Sequence, residues 1–185
     1  EGLRSLILAG GKSTRMGSDK CLMQVDGVPC IQRVAMTLAE AGLEPIRISV
    51  ASPEHMEIYG SVLDSSLQVE WVVDSKPHAG PIEAILDALT DPFCNDPLQI
   101  APVDVPWLEM DLLIGLEREI RDCKVAMPVC SGRTHPLLAL LRPEVAGLVG
   151  SSRRPLREQF RGMDHVLIET REEVVRNINQ PSDLE

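Results

Sequence analysis

The chain has 185 residues, of which 44% are hydrophobic and 3% are aromatic, and its formal net charge at pH 7 is −10. This length supports one domain with a proper core, and the acidic charge and scarce aromatics argue against a nucleic-acid-binding surface. Small anions remain possible ligands, because a local basic pocket can overcome a distant acidic surface. We therefore expect a single domain over residues 1–185 that acts on small molecules.

Five cysteines are scattered along the chain, and none forms a C-x-x-C pair. This pattern argues against a disulfide framework or a zinc site and suits a reducing environment. No apolar run approaches the ~20 residues of a membrane span. We therefore expect a cytoplasmic protein with neither a membrane nor a nucleic acid as partner.

Apolar strand-like runs alternate with helical patterns along the whole chain. The predicted strands are 6–9, 46–51, 69–73, 98–102, 125–129, 137–141 and 166–169, and the predicted helices are 29–41, 81–89, 110–121 and 155–160. This alternation indicates an α/β fold, a Rossmann-like three-layer domain with a mostly parallel sheet. Such sheets bind ligands at the carboxyl ends of their strands. The long loops 52–66 and 147–155 are candidates for handling substrate.

The first predicted strand runs into a glycine-bearing loop that contains several basic residues. Residues 8–20 read LAGGKSTRMGSDK. Glycines let the backbone approach a phosphate closely, and Arg15 and Lys20 supply positive charge beside it. The glycine spacing fits neither the P-loop nor the dinucleotide fingerprint. The loop therefore predicts a phosphate site of another kind.

Taken whole, this opening segment resembles the motif of the molybdenum cofactor guanylyltransferases, the MobA family of the nucleotidyltransferase superfamily. Further landmarks follow in the family's order over nearly the full length, namely Asp74, Gly80-Pro81, VDVP at 103–106, THP at 134–136 and NINQP at 177–181. The resemblance implies a Mg²⁺-dependent transfer of GMP from GTP to the phosphate of molybdopterin, with release of pyrophosphate. It also implies contact with cofactor carriers or recipient molybdoenzymes.

The resemblance assigns the nucleotide site to the N-terminal half. Asp74 would bind the nucleotide, Lys20 and Arg15 would bind phosphates and support catalysis, and Asp104 would hold Mg²⁺, which takes oxygen ligands. Asp19 would either bind the nucleotide or orient the loop. The remaining nucleotide contacts come mainly from backbone groups of Leu8, Ala9, Gly10 and Gly11.

The acceptor would bind in the C-terminal half. By resemblance, His135 lies on the pterin side of the cleft, and Asn177 and Asn179 present their amides to the pterin. Four arginines also fall close together in sequence: Arg153, Arg154, Arg157 and Arg161. Such a cluster is either a solvated helix face or the receptor of the second anion, the pterin phosphate.

Two positions depart from the family pattern. Ala51 stands where the family often has asparagine, so one nucleotide contact is missing or comes from Ser52. Ala84 replaces a frequent glycine, and Glu83 adds a negative charge near a helix start. Base selectivity is therefore open, and the alternatives are a cytidylyltransferase on the same pterin, a sugar-phosphate nucleotidyltransferase, or a non-catalytic nucleotide-binding or delivery protein.

Overall fold

The computed structural model describes residues 4–10, 19–75, 80–149 and 154–178. Ten strands lie in these ranges: β1 (Arg4–Leu8), β2 (Gln24–Val25), β3 (Val28–Pro29), β4 (Ile46–Val50), β5 (Val69–Val73), β6 (Leu98–Pro102), β7 (Val125–Cys130), β8 (Arg133–Thr134), β9 (Leu140–Leu141) and β10 (His165–Glu169). Five α-helices accompany them: α1 (Cys30–Glu40), α2 (Pro53–Gly60), α3 (Ile82–Leu89), α4 (Met110–Ile120) and α5 (Leu156–Arg161). Short 3₁₀ helices cover Lys20–Leu22, Pro136–Leu138, Pro143–Gly147 and Glu172–Val175.

The central sheet has eight strands in the order β10-β7-β9-β6-β1-β4-β5, with β8 paired to β7. Strand pairs β1–β4, β1–β6, β4–β5 and β7–β10 are parallel, whereas β8 and β9 run antiparallel to their neighbours. The predicted α/β class with a mostly parallel sheet is confirmed. Because the parallel strands share a direction, their carboxyl ends lie along one edge.

The core has two parts, one on each face of this sheet, and neighbouring residues of β1 belong to different parts. Ile7 belongs to a buried cluster that contains residues of α1, α2 and α4, and Leu6 belongs to another that contains residues of α3 and α5. Successive residues of a strand point to opposite faces, so helices cover both sides. The chain thus forms the three layers that its sequence predicts.

Most of the predicted elements match observed ones to within one or two residues, and β5 and β6 have the predicted bounds. The predicted strand over 137–141 is wrong for its first half. Pro136 has no N–H and a fixed φ, which suits the first turn of a helix. Residues Pro136–Leu138 accordingly form a 3₁₀ helix in which Leu138 N donates to the carbonyl of His135, and only Leu140–Leu141 form a strand.

Helix α2 is the main element that the sequence prediction missed. It occupies part of the predicted loop over 52–66, with Ser52 at the N-cap position and Pro53 in its first turn. Its apolar face is short, because Tyr59 is its one fully buried side chain. The Ser-Pro-Glu start was the available signal.

The five cysteines are free thiols. Burial is the main reason why the pKa of the Cys30 thiol is raised to about 11. No helix within the described ranges is long and apolar enough to cross a membrane.

Candidate nucleotidyl-transfer site

The carboxyl ends of β1, β4 and β5 bring Gly10, Ser49 and Asp74 together. The Asp74 carboxylate accepts a hydrogen bond from the Ser49 hydroxyl, and the Asp74 amide donates to the carbonyl of Val50 at 2.8 Å. A Cβ added at Gly10 would overlap the Asp74 carboxylate oxygen. A side chain at position 10 would therefore have to displace the Asp74 carboxylate, which favours glycine there.

This arrangement places Ala9, Gly10 and Asp74 at one edge of the sheet, as predicted. The Ala9 amide donates to the Ser49 carbonyl at 2.9 Å, which holds the first residue after β1 against β4. Leu8 is the last residue of β1. Ser49, which is buried beneath Asp74, was not selected from the sequence, because a serine inside an apolar strand carries no distinctive signal.

Lys20 and Asp104 form the second part of the site. The ammonium of Lys20 lies 3.6 Å from a carboxylate oxygen of Asp104, and their side chains are 28% and 18% exposed. Lys20 begins a 3₁₀ helix, and Asp104 follows β6. Two residues that are 84 positions apart in sequence therefore meet at the same sheet edge, as the motif interpretation requires.

The Asp104 carboxyl is substantially buried. Desolvation raises its pKa above the ordinary value, and the opposing attraction of Lys20 does not reverse that shift. Removing a carboxylate from water costs free energy unless positive charge lies beside it. Lys20 is therefore the positive charge that the structure places beside this carboxyl.

Asp19 orients the segment that carries Lys20. One Asp19 oxygen accepts from the Cys21 amide at 2.9 Å and caps the 3₁₀ helix, while the other accepts from the Tyr59 hydroxyl at 2.5 Å. Tyr59 is fully buried and stacks on His55 with 5.2 Å between ring centroids. Of the two roles predicted for Asp19, these contacts support loop orientation.

The C-terminal segment approaches Asp104 through its backbone. The Ile178 amide donates to the Asp104 carbonyl at 2.9 Å. Ile178 is fully buried, whereas the neighbouring Asn177 is exposed. Asn177 is therefore placed beside the metal candidate with its side chain available.

His135, in the C-terminal half of the chain, directly follows β8 and lies beside β7. Its amide donates to the carbonyl of Pro128 at 3.0 Å, which fixes it beside β7. Burial, with the nearby charges of Arg133 and Arg157, lowers the pKa of the imidazole. The neutral ring is therefore favoured at neutral pH, and it can both donate and accept a hydrogen bond.

Several predicted residues lie outside the described ranges, namely Gly11, Arg15, Arg153 and Asn179. Arg154 is described, and it pairs with Glu158 at 3.9 Å on the surface, where both side chains are more than half exposed. Arg157 instead donates to the hydroxyl and carbonyl of Thr134. The arginines of the sequence cluster therefore have different surroundings.

The two departures from the family pattern are also visible. Ala51 follows β4, and the hydroxyl of Ser52 lies 3.2 Å from Nδ1 of His55. Glu83 is exposed in the first turn of α3, while Ala84 is partly buried. A nucleotide contact from Ser52 therefore remains a prediction.

An open, mostly parallel sheet with Gly10, Lys20, Asp74 and Asp104 at its carboxyl edge has the architecture of an α/β nucleotidyltransferase. The family model for the MobA-like NTP transferase domain matches residues 5–172. The chain belongs to this family and is a nucleotidyltransferase.

Individual proteins show the same relationship. A protein of Synechococcus elongatus named "Probable molybdenum cofactor guanylyltransferase" is 29% identical over 164 residues, covering 85% of this chain and 81% of its own. A protein of the same name from Natronomonas pharaonis is 27% identical, covering 97% and 94%. The crystal structure of molybdopterin-guanine dinucleotide biosynthesis protein A from Archaeoglobus fulgidus has a TM-score of 0.73 at 21% identity, covering 98% and 95%. This last likeness shows a shared fold.

Proposed function

We propose that this protein is a Mg²⁺-dependent guanylyltransferase that transfers GMP from GTP to the terminal phosphate of molybdopterin. The observation that carries the proposal is the Lys20–Asp104 pair at the carboxyl edge, next to the Gly10–Asp74 contact. The names of the relatives supply the base and the acceptor. The five free thiols fit a reducing compartment, which supports the cytoplasm as its location.

In the proposed reaction, an oxygen of the acceptor phosphate attacks the α-phosphorus of GTP. The bond from that phosphorus to the α–β bridging oxygen breaks, and its electron pair leaves with pyrophosphate. Both reactants are anions, so the protein contributes mainly charge neutralisation and in-line positioning. No covalent intermediate on the protein is required.

The described residues divide this work between them. Lys20 carries a positive charge to the phosphates, and Asp19 and Tyr59 fix the short helix that presents it. The Asp74 carboxylate, held by Ser49, can accept hydrogen bonds from the ribose hydroxyls or from the guanine N–H edge. Gly10 leaves room for this carboxylate beside the loop.

The residues present fit a magnesium ion at Asp104. Magnesium keeps several waters and takes one or two protein carboxylates together with substrate phosphates. Among the described residues no group of three acidic, histidine or cysteine side chains gathers around one point, so Asp104 would be the main protein ligand. A bound Mg²⁺ would neutralise phosphate charge, and it would offset the cost of burying the Asp104 carboxylate.

The acceptor is proposed to lie towards β7 and β8, where His135 and Asn177 border the edge. Molybdopterin displays several hydrogen-bond donors and acceptors, which suit a neutral imidazole and an amide. Product release to a cofactor carrier or a molybdoenzyme would follow.

The direct test is product analysis after anaerobic incubation with GTP, Mg²⁺ and molybdopterin. Mass spectrometry should find GMP joined to the pterin phosphate, with one pyrophosphate released for each molecule of product. If another nucleotide is found joined to the pterin phosphate, the assignment of guanine as the base is wrong. Binding of GTP and Mg²⁺ without product would contradict the proposal and favour a delivery protein.

A further inference from the structure

An open cavity that contains three arginines lies between the β7–β8 hairpin and α5. It has a volume of about 400 Å³ and is lined by Ser131, Gly132, Arg133, Thr134, Arg157 and Arg161. Half of its lining residues are therefore arginines, in a chain whose net charge is −10. We propose that this arginine cavity binds the phosphate of the acceptor, a deepening that rests on the proposed function.

Among the residues that the structure describes, no carboxylate forms an ion pair with Arg133, Arg157 or Arg161. By contrast, the neighbouring Arg154 pairs with Glu158. Guanidinium groups that share one space repel one another, and a phosphate dianion would relieve that repulsion through charge-assisted hydrogen bonds.

One of the three arginines is fixed in place. Arg157 Nε donates to the Thr134 hydroxyl at 3.1 Å, and a terminal nitrogen of Arg157 donates to the Thr134 carbonyl at 3.0 Å. Thr134 itself is buried, so it anchors the guanidinium from below. A preorganised guanidinium loses less side-chain entropy when it binds an anion.

The topology places the cavity next to the proposed transfer site. Leu141 of β9 pairs with Leu98 of β6 and with Val125 of β7, so β6 and β7 run in the same direction and end at the same edge. One side of β7 is occupied by β10 over Val125–Val129. Strand β8 therefore lies on the other side of β7, which faces β6.

The acceptor phosphate must come close to Asp104, because it attacks the phosphorus atom that the Lys20–Asp104 pair serves. Strands β6 and β7 lie two strand spacings apart, which is about 10 Å. Strand β8 stands in that gap at the level where β6 ends. Extended arginine side chains from β8 and α5 can therefore hold a phosphate within reach of the site, and His135 is their immediate neighbour.

The first arm of the test measures phosphate binding without turnover. Arginine Nε–H signals in ¹H–¹⁵N NMR spectra are followed while inorganic phosphate is added at constant ionic strength. We expect a saturable shift of the Arg157 signal in the wild-type protein. The double variant Arg133→Gln/Arg161→Gln should lose this shift, whereas Arg118→Gln, at an exposed position of α4, should retain it. Unchanged phosphate binding in the double variant, or no shift in the wild-type protein, would overturn the cavity assignment.

The second arm identifies the source of the phosphate. In the transfer assay, the double variant should raise the KM for molybdopterin about tenfold or more, since two charge-assisted hydrogen bonds are removed. The KM for GTP should stay within about twofold of the wild-type value, and Arg118→Gln should change neither constant.

A raised KM for GTP with an unchanged KM for molybdopterin would show that the cavity serves the nucleotide, which overturns the acceptor assignment. Failure of the wild-type protein to act on molybdopterin would contradict the proposed function and the acceptor source together, while the phosphate titration would still decide whether the cavity binds an anion.

Discussion

At the scale of single residues, the proposed site depends on two close contacts that involve different physical effects. At Gly10 the effect is steric, since a side chain there would meet the Asp74 carboxylate. At Asp104 the effect is electrostatic, since its carboxyl is largely buried beside Lys20. Substitutions at the two positions are therefore expected to have opposite effects on stability.

Replacing Gly10 with alanine should destabilise the protein and weaken GTP binding. The new methyl group must displace Asp74, which the Ser49 hydroxyl and the Val50 carbonyl hold in place. Overpacking of this kind costs about 1–3 kcal/mol, and each kcal/mol lowers Tm by about 2–4 °C in a chain of this size. Calorimetric titration with GTP and thermal unfolding measure both effects. Gly147→Ala is the control, because an added Cβ there meets no atom within 4 Å. Equal behaviour of the two variants would contradict the close-contact argument.

Replacing Asp104 with asparagine should stabilise the protein at pH 7 while it abolishes transfer. A carboxyl whose pKa is raised in the folded state favours folding when protonated, so its ionised form costs free energy at neutral pH. The gain over wild type should disappear as the pH falls below the ordinary carboxyl pKa of about 3.9. The transfer rate should fall by about 100-fold or more. Urea unfolding from pH 7 down to about pH 3, with the exposed Asp122→Asn as control, measures the stability change. Destabilisation at pH 7 would refute the electrostatic argument.

At the scale of secondary-structure elements, the notable connection runs from α2 to the Lys20 segment. Tyr59 of α2 donates a hydrogen bond to the capping residue Asp19, so a helix outside the predicted site supports the lysine that is proposed to bind phosphate. Burial raises the pKa of the Tyr59 hydroxyl, which therefore stays protonated and remains a donor at any ordinary assay pH. Helix α2 therefore helps to hold the segment that carries Lys20 in place.

Removing the hydroxyl in Tyr59→Phe should lower kcat about tenfold. A hydrogen bond to a charged group contributes about 1.5–3 kcal/mol, and its loss leaves the Lys20 helix less well fixed. The KM for molybdopterin should not change, because α2 is on the nucleotide side of the sheet. Steady-state kinetics measure this, and Ser61→Ala removes a comparable hydroxyl that bonds only to the Ile58 carbonyl. A loss of stability with an unchanged kcat would show that Tyr59 has only a structural role.

The sequence predicted the elements whose signals are local and periodic. Strands β5 and β6 are short segments rich in apolar residues and bounded by turn residues, and α1 and α4 are amphipathic helices, so their bounds were nearly correct. Helix α2 was missed because one buried tyrosine gives no helical period. The strand predicted over 137–141 was interrupted because Pro136 favours a turn.

The sequence predicted some residues of the candidate site and missed others. Lys20, Asp74 and Asp104 were recognisable because each belongs to a motif at the end of a strand. Ser49 and Tyr59 were not recognisable, since their roles arise from tertiary contacts with Asp74 and Asp19. Nothing in the sequence shows that Arg133 adjoins Arg157 and Arg161, because the hairpin and α5 meet only in the folded chain.

At the scale of the whole molecule, the proposed function divides the sheet edge between two substrates. Strands β1, β4 and β5 carry the residues proposed to bind GTP, whereas β7, β8, α5 and the C-terminal segment carry those proposed to bind the acceptor. Asp104, which follows β6, stands between these halves, since β6 lies between β1 and β9 in the sheet. Nucleotidyl transfer needs both anions at one point, and this order of strands provides it.

If each substrate binds to its own half of the sheet edge, a substitution in one half should change the KM for one substrate only. Asp74→Ala should raise the KM for GTP about tenfold and leave the KM for molybdopterin within about twofold, because one charge-assisted contact is lost on one side only. Asn177→Ala should show the reverse pattern, with a smaller rise for the neutral amide. Initial-rate measurements with each substrate varied in turn would show this. If both variants raise both constants equally, the two halves do not act separately.

The most direct measurement of the central claim is pyrophosphate release in the presence of molybdopterin and each of the four nucleoside triphosphates, with and without Mg²⁺. It would be made on the wild-type protein and on Asp104→Ala. We predict release with GTP alone, dependent on Mg²⁺ and lost in the variant. Release with CTP or UTP in preference to GTP, or turnover that survives in Asp104→Ala, would contradict the account.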